Sequence, residues 1–278
     1  MVLELLIGPK KAETHPVGMF LYGVLYASIA IILSLWIFKS QSSIVMVFLT
    51  VLACIPLLHR TLKQQEEFDL EIDDERLLIK KHWKALKFLM YLFLGFLVAY
   101  ALWFILLPET LSTLLFQSQL DTIQSINGRV IHGYFIGQDI FMKILLNNIK
   151  VLFFTVFFSF FYGAGALFIL VWNASVISAA MGTFVRDRLS SLASYFHILP
   201  LALVRYMTHG VFEILAYFIG GLAGALISFA IINSKLSTKQ FKHILKDSLD
   251  LILIALAILV VGAVVEVYFT PLIVSLLL

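Results

Sequence analysis

The residues best placed to do chemistry are three ionisable side chains spaced four residues apart: Arg205, His209 and Glu213. Residues four apart share one face of an α-helix, so this spacing predicts a stripe in which His209 and Glu213 are close enough for a hydrogen bond or an ion pair. Gly210 lies between them and predicts either a close backbone approach or a break in the helix. His197 precedes the stripe.

Two interpretations of this stripe stay open. In the first it is a polar lock that holds a kinked helix pair together, with Arg205 reaching the membrane interface. In the second it handles protons, ions or a substrate. Charged groups within a bilayer cost about 2.5–3.5 kcal/mol each on insertion scales, so both interpretations place them against protein or a water-filled cavity. A metal site is not favoured, because His209, Glu213 and His197 supply three ligands at most, with no Cys pair or His-Glu-x-x-His pattern.

The elements that must position the stripe are membrane-spanning helices. The chain has 278 residues, of which 61% are hydrophobic and 13% charged. A typical soluble domain is about 45–50% apolar and about 25% charged, so the sequence predicts an all-α polytopic membrane protein with the lipid bilayer as its partner. The single cysteine, Cys54, excludes an intrachain disulfide. The net charge of +3 gives no indication of nucleic-acid binding.

The length of the apolar runs predicts seven crossings. A crossing helix needs about 20 apolar residues. Five segments meet this length: Val17–Phe38, Phe88–Leu107, Ile149–Val171, Val211–Asn233 and Leu249–Thr270. Two shorter segments, Ser43–Leu58 and Leu189–Tyr206, complete the seven. The apolar stretch Ala174–Val185 is too short to cross and is predicted to be re-entrant or buried.

The distribution of charge predicts the orientation and the division of the chain. With a cytoplasmic N-terminus, fifteen of the twenty Lys and Arg residues lie on the inner side, Arg186 and Arg188 among them. The positive-inside rule therefore predicts a multi-pass protein of the cell membrane with its N-terminus in the cytoplasm. Glu266 is expected near the outer end of the last span, within reach of the headgroups. The predicted divisions are a cytoplasmic or interfacial segment 1–16, a transmembrane hairpin 17–59, a charged helical cytoplasmic linker 60–87, and a membrane core domain 88–278 whose outer loop 108–146 forms amphipathic helices.

Small residues and asparagines mark further positions in the membrane core. Small-residue faces let helices pack closely in lipid, and they fit internal packing and a homo-oligomer equally well. The glycines on such faces are Gly163, Gly165, Gly220 and Gly224. Asparagines that flank a span are typical of helix caps and turns. Those that flank the predicted span at 149–171 are Asn147, Asn148 and Asn173.

The order of these features resembles the stage II sporulation protein M family, in the form seen in archaeal relatives. The resemblance rests on Asn147-Asn148 before a Phe-rich span, on Asn173 after it, and on His209-Gly210-x-x-Glu213 followed by Gly220-Gly221-x-x-Gly224. The chain departs from the family where a usual Pro-His-Gly-x-x-Glu reads Thr208-His209-Gly210-x-x-Glu213, and where a usual Asn-Gly reads Asn173-Ala174.

The resemblance implies an integral membrane scaffold or remodelling protein that is not an enzyme and needs no cofactor. Bacterial members act with peptidoglycan-cutting partners, so the expected partners are other membrane or envelope proteins. The alternative is a channel or transporter that uses the His209–Glu213 region. A scaffold predicts that these two side chains are dry and satisfied, whereas a transporter predicts that they line a cavity.

Overall fold

A computed structural model describes residues 16–71, 75–131, 137–162, 165–188, 195–232 and 237–277. Within these ranges every regular element is a helix and there is no strand. In chain order the elements are α1 (Pro16–Ile37), a 3₁₀ turn (Lys39–Gln41), α2 (Ser42–Glu71), α3 (Glu75–Leu106), α4 (Glu109–Leu115), α5 (Gln117–Ile131), α6 (Gly137–Tyr162), α7 (Gly165–Arg188), α8 (Tyr195–Ile232), α9 (Thr238–Val264), a π-helical turn (Val265–Phe269) and α10 (Thr270–Leu277). Seven of the described segments are long and apolar enough to cross a membrane, which confirms the all-α polytopic prediction.

Local sequence explains why these segments are helical. Hydrocarbon offers no hydrogen-bond partners, so an apolar run that crosses it must satisfy its backbone groups internally, as a helix does. Polar residues fix the start of α9, where the Ser237 side chain accepts from the Gln240 backbone N–H and the Gln240 side chain accepts from the Ser237 N–H. The prolines Pro56 and Pro200 lie inside α2 and α8 without ending them.

The predicted number of crossings agrees with the seven candidate spans, but four of the predicted segments are wrong. The segment predicted as a single span at Ile149–Val171 belongs to two helices, because α6 ends at Tyr162 and α7 begins at Gly165. The stretch Ala174–Val185 is not re-entrant, since it lies within the continuous helix α7. The described residues of the two segments predicted at Leu189–Tyr206 and Val211–Asn233 lie in one helix, α8. Hydropathy locates apolar stretches but does not show where the chain reverses.

The short helices α4 and α5 lie at one end of the bundle, which we call the α4–α5 end. The buried Gln119 side chain on α5 donates at 3.1 Å to the Ser43 carbonyl on α2 and at 3.1 Å to the Ser175 hydroxyl on α7. The Arg186 guanidinium donates to the Ser112 hydroxyl at 2.6 Å and to the Leu107 carbonyl at the end of α3. The prediction that Arg186 lies at the cytoplasmic end together with 60–87 is therefore wrong, since Arg186 lies beside the segment predicted as the outer loop.

The long helices pack as a continuous bundle around α8, which is the most buried of the candidate spans. Helix α1 packs on α2 and α3, α3 packs on α7, and α8 packs on α6 and α9. Close backbone contact joins α1 to α3, because a Cβ on Gly23 would overlap the Leu92 carbonyl oxygen and a Cβ on Gly95 would overlap that of Phe20. In lipid, where no hydrophobic force draws helices together, such close approach stabilises the pairing through dispersion contacts.

Two of the predicted divisions are described only in part. Helix α2 continues to Glu71 and α3 begins at Glu75, so the backbone of the charged linker is helical on both sides of residues 72–74. The predicted segment 1–16 lies outside the described residues apart from Pro16. The outer loop 108–146 contains α4, α5 and the first turns of α6, in agreement with the prediction of short helices there.

Candidate functional site

A polar network lies where α6, α8 and the π-helical turn meet. The Glu213 carboxylate on α8 accepts a 2.6 Å hydrogen bond from the Asn148 side-chain amide on α6. The oxygen of the same amide accepts a 3.2 Å bond from the Tyr217 hydroxyl, one turn further along α8. Asn148 is 5% exposed and Tyr217 is 2% exposed. These two bonds satisfy buried polar groups that would otherwise be costly.

A second carboxyl group completes the network. Glu266, in the π-helical turn, forms a side-chain hydrogen bond with Glu213. This partner was not foreseen, because Glu266 was expected near the outer end of the last span, within reach of the headgroups.

His209 contacts the last helix and not Glu213. Its Nε2 lies 3.9 Å from the Glu266 carboxylate, and its Nδ1 lies 3.4 Å from the Thr270 hydroxyl. The first of these distances is too long for a hydrogen bond and is an ion-pair distance only when the imidazole is protonated. The prediction that His209 and Glu213 lie within a turn of each other on one helix is correct. Their direct partners, however, lie on other elements.

The backbone of the last helix is adapted to this contact. The π-helical turn places one extra residue in the helix and projects Glu266 toward α8, and the Thr270 hydroxyl donates at 3.1 Å to the Val265 carbonyl within it. Such turns recur at functional sites. One turn earlier, a Cβ on Gly262 would lie 3.2 Å from the Phe212 Cβ and 3.7 Å from the Glu213 Cγ, so this glycine allows α9 to lie close against α8.

A cavity of about 460 Å³ lies next to the network, between α5, α7, α8 and the last helix. Arg205, Tyr206, His209, Glu266 and Thr270 give it one polar wall. Its other walls are apolar: Ile123, Val176, Ile177, Ala180, Pro271 and Val274. Cavities of this size with a few convergent polar groups are typical of small-molecule sites. His209 and Glu266, at 15% and 29% side-chain exposure, thus face the cavity, whereas Glu213 is bonded behind them.

The predicted stripe is only partly brought together. Arg205 is exposed and lines the cavity, whereas Glu213 is bonded inside the bundle. His197 is exposed near the start of α8. It lies about 18 Å from His209 at the α-helical rise of 1.5 Å per residue, and it does not line the cavity. Gly210 does not break α8. A Cβ added to it would lie 3.4 Å from the Met207 Cε and would meet no other described side chain within 4 Å.

The predicted asparagine caps are wrong, since all three residues lie inside helices. Asn147 is exposed on α6, whereas its neighbour Asn148 holds Glu213. Asn173 lies within α7, and its side chain donates at 2.7 Å to the Ile169 carbonyl of the preceding turn. Polar residues within apolar runs suggested span ends in the sequence, but here they mark helix interiors that contact other helices or their own backbone.

The small-residue face of α8 serves internal packing. A Cβ on Gly224 would overlap the Val156 carbonyl oxygen of α6 and lie 2.9 Å from the Ser159 Cβ. A Cβ on Gly220 would overlap the Leu152 side chain on the same helix. This face is therefore occupied by α6. Of the other two predicted glycines, Gly165 begins α7 and Gly163 lies outside the described residues.

Comparisons with known proteins agree with the resemblance in the sequence. A profile described as "Stage II sporulation protein M" matches residues 85–271, which include the whole network and every cavity-lining residue named above except Val274. An uncharacterized protein of Methanocaldococcus jannaschii is 30% identical over 158 residues, covering 55% of this chain and 83% of the relative. No solved structure matches. The chain is therefore a multi-pass membrane protein that belongs to the stage II sporulation protein M family.

Proposed function

We propose that this protein is a non-enzymatic membrane scaffold that organises the membrane or the cell envelope through partner proteins. The observation that carries the proposal is the bonding of Glu213. The Glu213 carboxylate on α8 contacts Asn148 on α6 and Glu266 in the π-helical turn, so these polar contacts join three elements of the bundle. Close backbone approach at Gly224 and at Gly95 adds stiffness, as a platform for other proteins requires.

The same proposal includes an orientation. If each candidate span crosses once, the facing ends of α2 and α3 and the start of α9 lie at the same end of the bundle as the start of α1, and Arg186 and Arg188 lie at the opposite, α4–α5 end. Lysine and arginine concentrate on the cytoplasmic side of membrane proteins, so the α4–α5 end is placed outside. A membrane-impermeant thiol reagent tests this in a Cys54→Ala background: a cysteine at exposed Lys239 should react only after the membrane is opened, and one at exposed Glu109 should react in intact cells.

Recovery of partners tests the scaffold. The full-length chain is crosslinked in native membranes, purified, and compared with a Glu213→Leu variant expressed at the same level. A scaffold predicts envelope-acting enzymes recovered in a fixed ratio to the wild-type chain, and a lower ratio with the variant, whose bundle is loosened. A wild-type chain that purifies free of such proteins under crosslinking would contradict the proposal.

The cavity favours a second candidate, a channel or transporter. His209 and Glu266 line about 460 Å³ of space next to Glu213, and ionisable groups within a membrane are common in proton and ion pathways. This candidate predicts protein-dependent ion flux in proteoliposomes that an Ala180→Phe substitution, which fills the cavity, abolishes. The scaffold predicts no flux above protein-free liposomes.

A further inference from the structure

Two arginines contact the same aromatic ring: Arg205, which lines the cavity, and Arg188, which lies next to it outside the lining. The Arg188 Cζ lies 3.9 Å from the centroid of the Phe184 ring, and the Arg205 Cζ lies 5.2 Å from the same centroid. Among the described side chains, no carboxylate lies within ion-pair distance of either guanidinium. Two like charges gathered around one ring repel each other, and an anion between them would remove that cost.

Both arginines lie near the end of a candidate membrane span, the level at which lipid headgroups are expected. Arg188 is the last residue of the crossing segment Ala166–Arg188, and Arg205 contacts Phe184 one turn below it. Arg186, on the same turn of α7, already bonds the carbonyls at the end of α3, so it marks the end of the bundle and is engaged elsewhere. Arginines at this level are well placed to contact lipid phosphates.

The cavity that Arg205 lines also has apolar walls. Val176 and Ile177 of α7 and Val274 of α10 are among its lining residues. The helices α8 and α10, which contribute to the lining, carry apolar side chains on their outer surfaces, with Leu203 of α8 46% exposed and Leu272 of α10 61% exposed. In a bilayer such surfaces face acyl chains. The cavity therefore combines apolar walls with one arginine in its lining and a second arginine beside it.

We infer that this cavity binds one phosphate-bearing amphiphile, an acidic membrane lipid, with its phosphate at Arg188 and Arg205 and an acyl chain along the apolar walls. The apolar walls distinguish a lipid from free phosphate, which would use only the arginines. The site goes beyond a scaffold role, because it makes the bundle sensitive to the composition of the surrounding membrane. It does not depend on whether the protein transports anything.

Native mass spectrometry of the purified full-length chain tests the inference. Three probes are titrated: phosphatidylglycerol, phosphatidylcholine with the same acyl chains, and inorganic phosphate. We expect a one-to-one phosphatidylglycerol adduct, at least about fivefold tighter than the phosphatidylcholine adduct, and no competition by inorganic phosphate at millimolar concentration. Equal binding of the two lipids overturns the inference, and so does effective competition by inorganic phosphate, which would identify a site for a free anion.

Variants separate this site from the general lipid annulus. Arg205→Gln and Arg188→Gln should each weaken the phosphatidylglycerol adduct about tenfold, the usual effect of losing a charged hydrogen bond. Lys242→Gln, an exposed cation near the start of α9, is the matched control and should leave it unchanged. Ala180→Leu, which fills the cavity without touching a charge, should also remove the adduct. Arg205→Lys and a melting curve for each variant control for misfolding, and folded Arg205→Gln or Ala180→Leu protein that binds like wild type overturns the inference.

Discussion

Replacing Gly224 with alanine should push α8 away from α6. The added Cβ would overlap the Val156 carbonyl oxygen and lie 2.9 Å from the Ser159 Cβ. The first of these neighbours is backbone, which cannot rotate out of the way as a side chain can. The two helices must therefore move apart, and the move also affects α7, α9 and α10, which pack on α8.

Gly210, fourteen residues earlier on the same helix, provides the matched control. A Cβ there would lie 3.4 Å from the flexible Met207 Cε, with no other neighbour within contact distance. Alanine stabilises a helix interior by about 0.5–1 kcal/mol relative to glycine, so Gly210→Ala should raise the free energy of unfolding by about that amount. For Gly224→Ala the same gain is opposed by overpacking of about 1–3 kcal/mol. The net effect is a loss, and the variants should differ by about 1–3 kcal/mol.

The assay is reversible unfolding of the purified full-length chain in mixed micelles, followed by circular dichroism and by tryptophan fluorescence. Wild type, Gly210→Ala and Gly224→Ala are measured in one detergent series, so the free energy of the common unfolded reference state cancels when the variants are compared. If Gly224→Ala is as stable as Gly210→Ala, then α6 and α8 do not approach as described, and the packing argument fails.

Three further predictions concern polar and close-packed contacts. Gly95→Ala should destabilise the α1–α3 pair by about 1–3 kcal/mol, measured in the same unfolding series, because its Cβ would overlap the Phe20 carbonyl; an unchanged midpoint would refute that contact. Arg186→Gln removes the guanidinium bonds to the end of α3, so hydrogen exchange at residues 105–112 should become faster, and unchanged exchange would show that the bonds are not formed. Glu266→Leu should cost about 0.6–1.7 kcal/mol and Glu266→Gln less, because a glutamine amide can still donate to Glu213; equal losses would contradict the shared hydrogen bond.

The fold class could be predicted from composition because seven long apolar stretches have few alternatives to helices in lipid. The positions at which one helix ends and the next begins could not be predicted from composition. Residues 163–164 separate α6 from α7 within an apolar run, so average hydropathy did not distinguish one long span from two helices. The opposite error occurred in α8, where two spans were predicted with a division between Tyr206 and Val211, but the helix continues through both residues.

The site was predicted in part for a similar reason. A spacing of four residues correctly placed His209 and Glu213 on one face of a helix, since this follows from helix geometry alone. Their partners Asn148 and Glu266 lie 65 and 53 residues from Glu213, and no local pattern indicates which distant helix faces another. One signal was present for Glu266: an acidic residue within an apolar run must find a polar partner in the protein.

The close helix contacts at glycines could also be predicted only in part. The Gly220 and Gly224 pattern indicated a packing face, and the structure adds that α6 covers it. Gly23 and Gly95 were not singled out, because each is an isolated glycine in its own span and only their meeting in space makes them significant. Gly210, which lies in the family motif, has no packing requirement among the described residues.

A double-mutant cycle between Asn148 and Glu213 tests the central claim, that a polar lock joins α6 to α8, most directly. Unfolding free energies are measured for wild type, Asn148→Ala, Glu213→Ala and the double variant, beside a control cycle in which exposed Asn147→Ala replaces Asn148→Ala. The lock predicts a coupling energy of about 0.6–1.7 kcal/mol, the range measured for hydrogen bonds between helices in membranes, and a control value near zero. A coupling energy for Asn148 and Glu213 no larger than that of the control would contradict it.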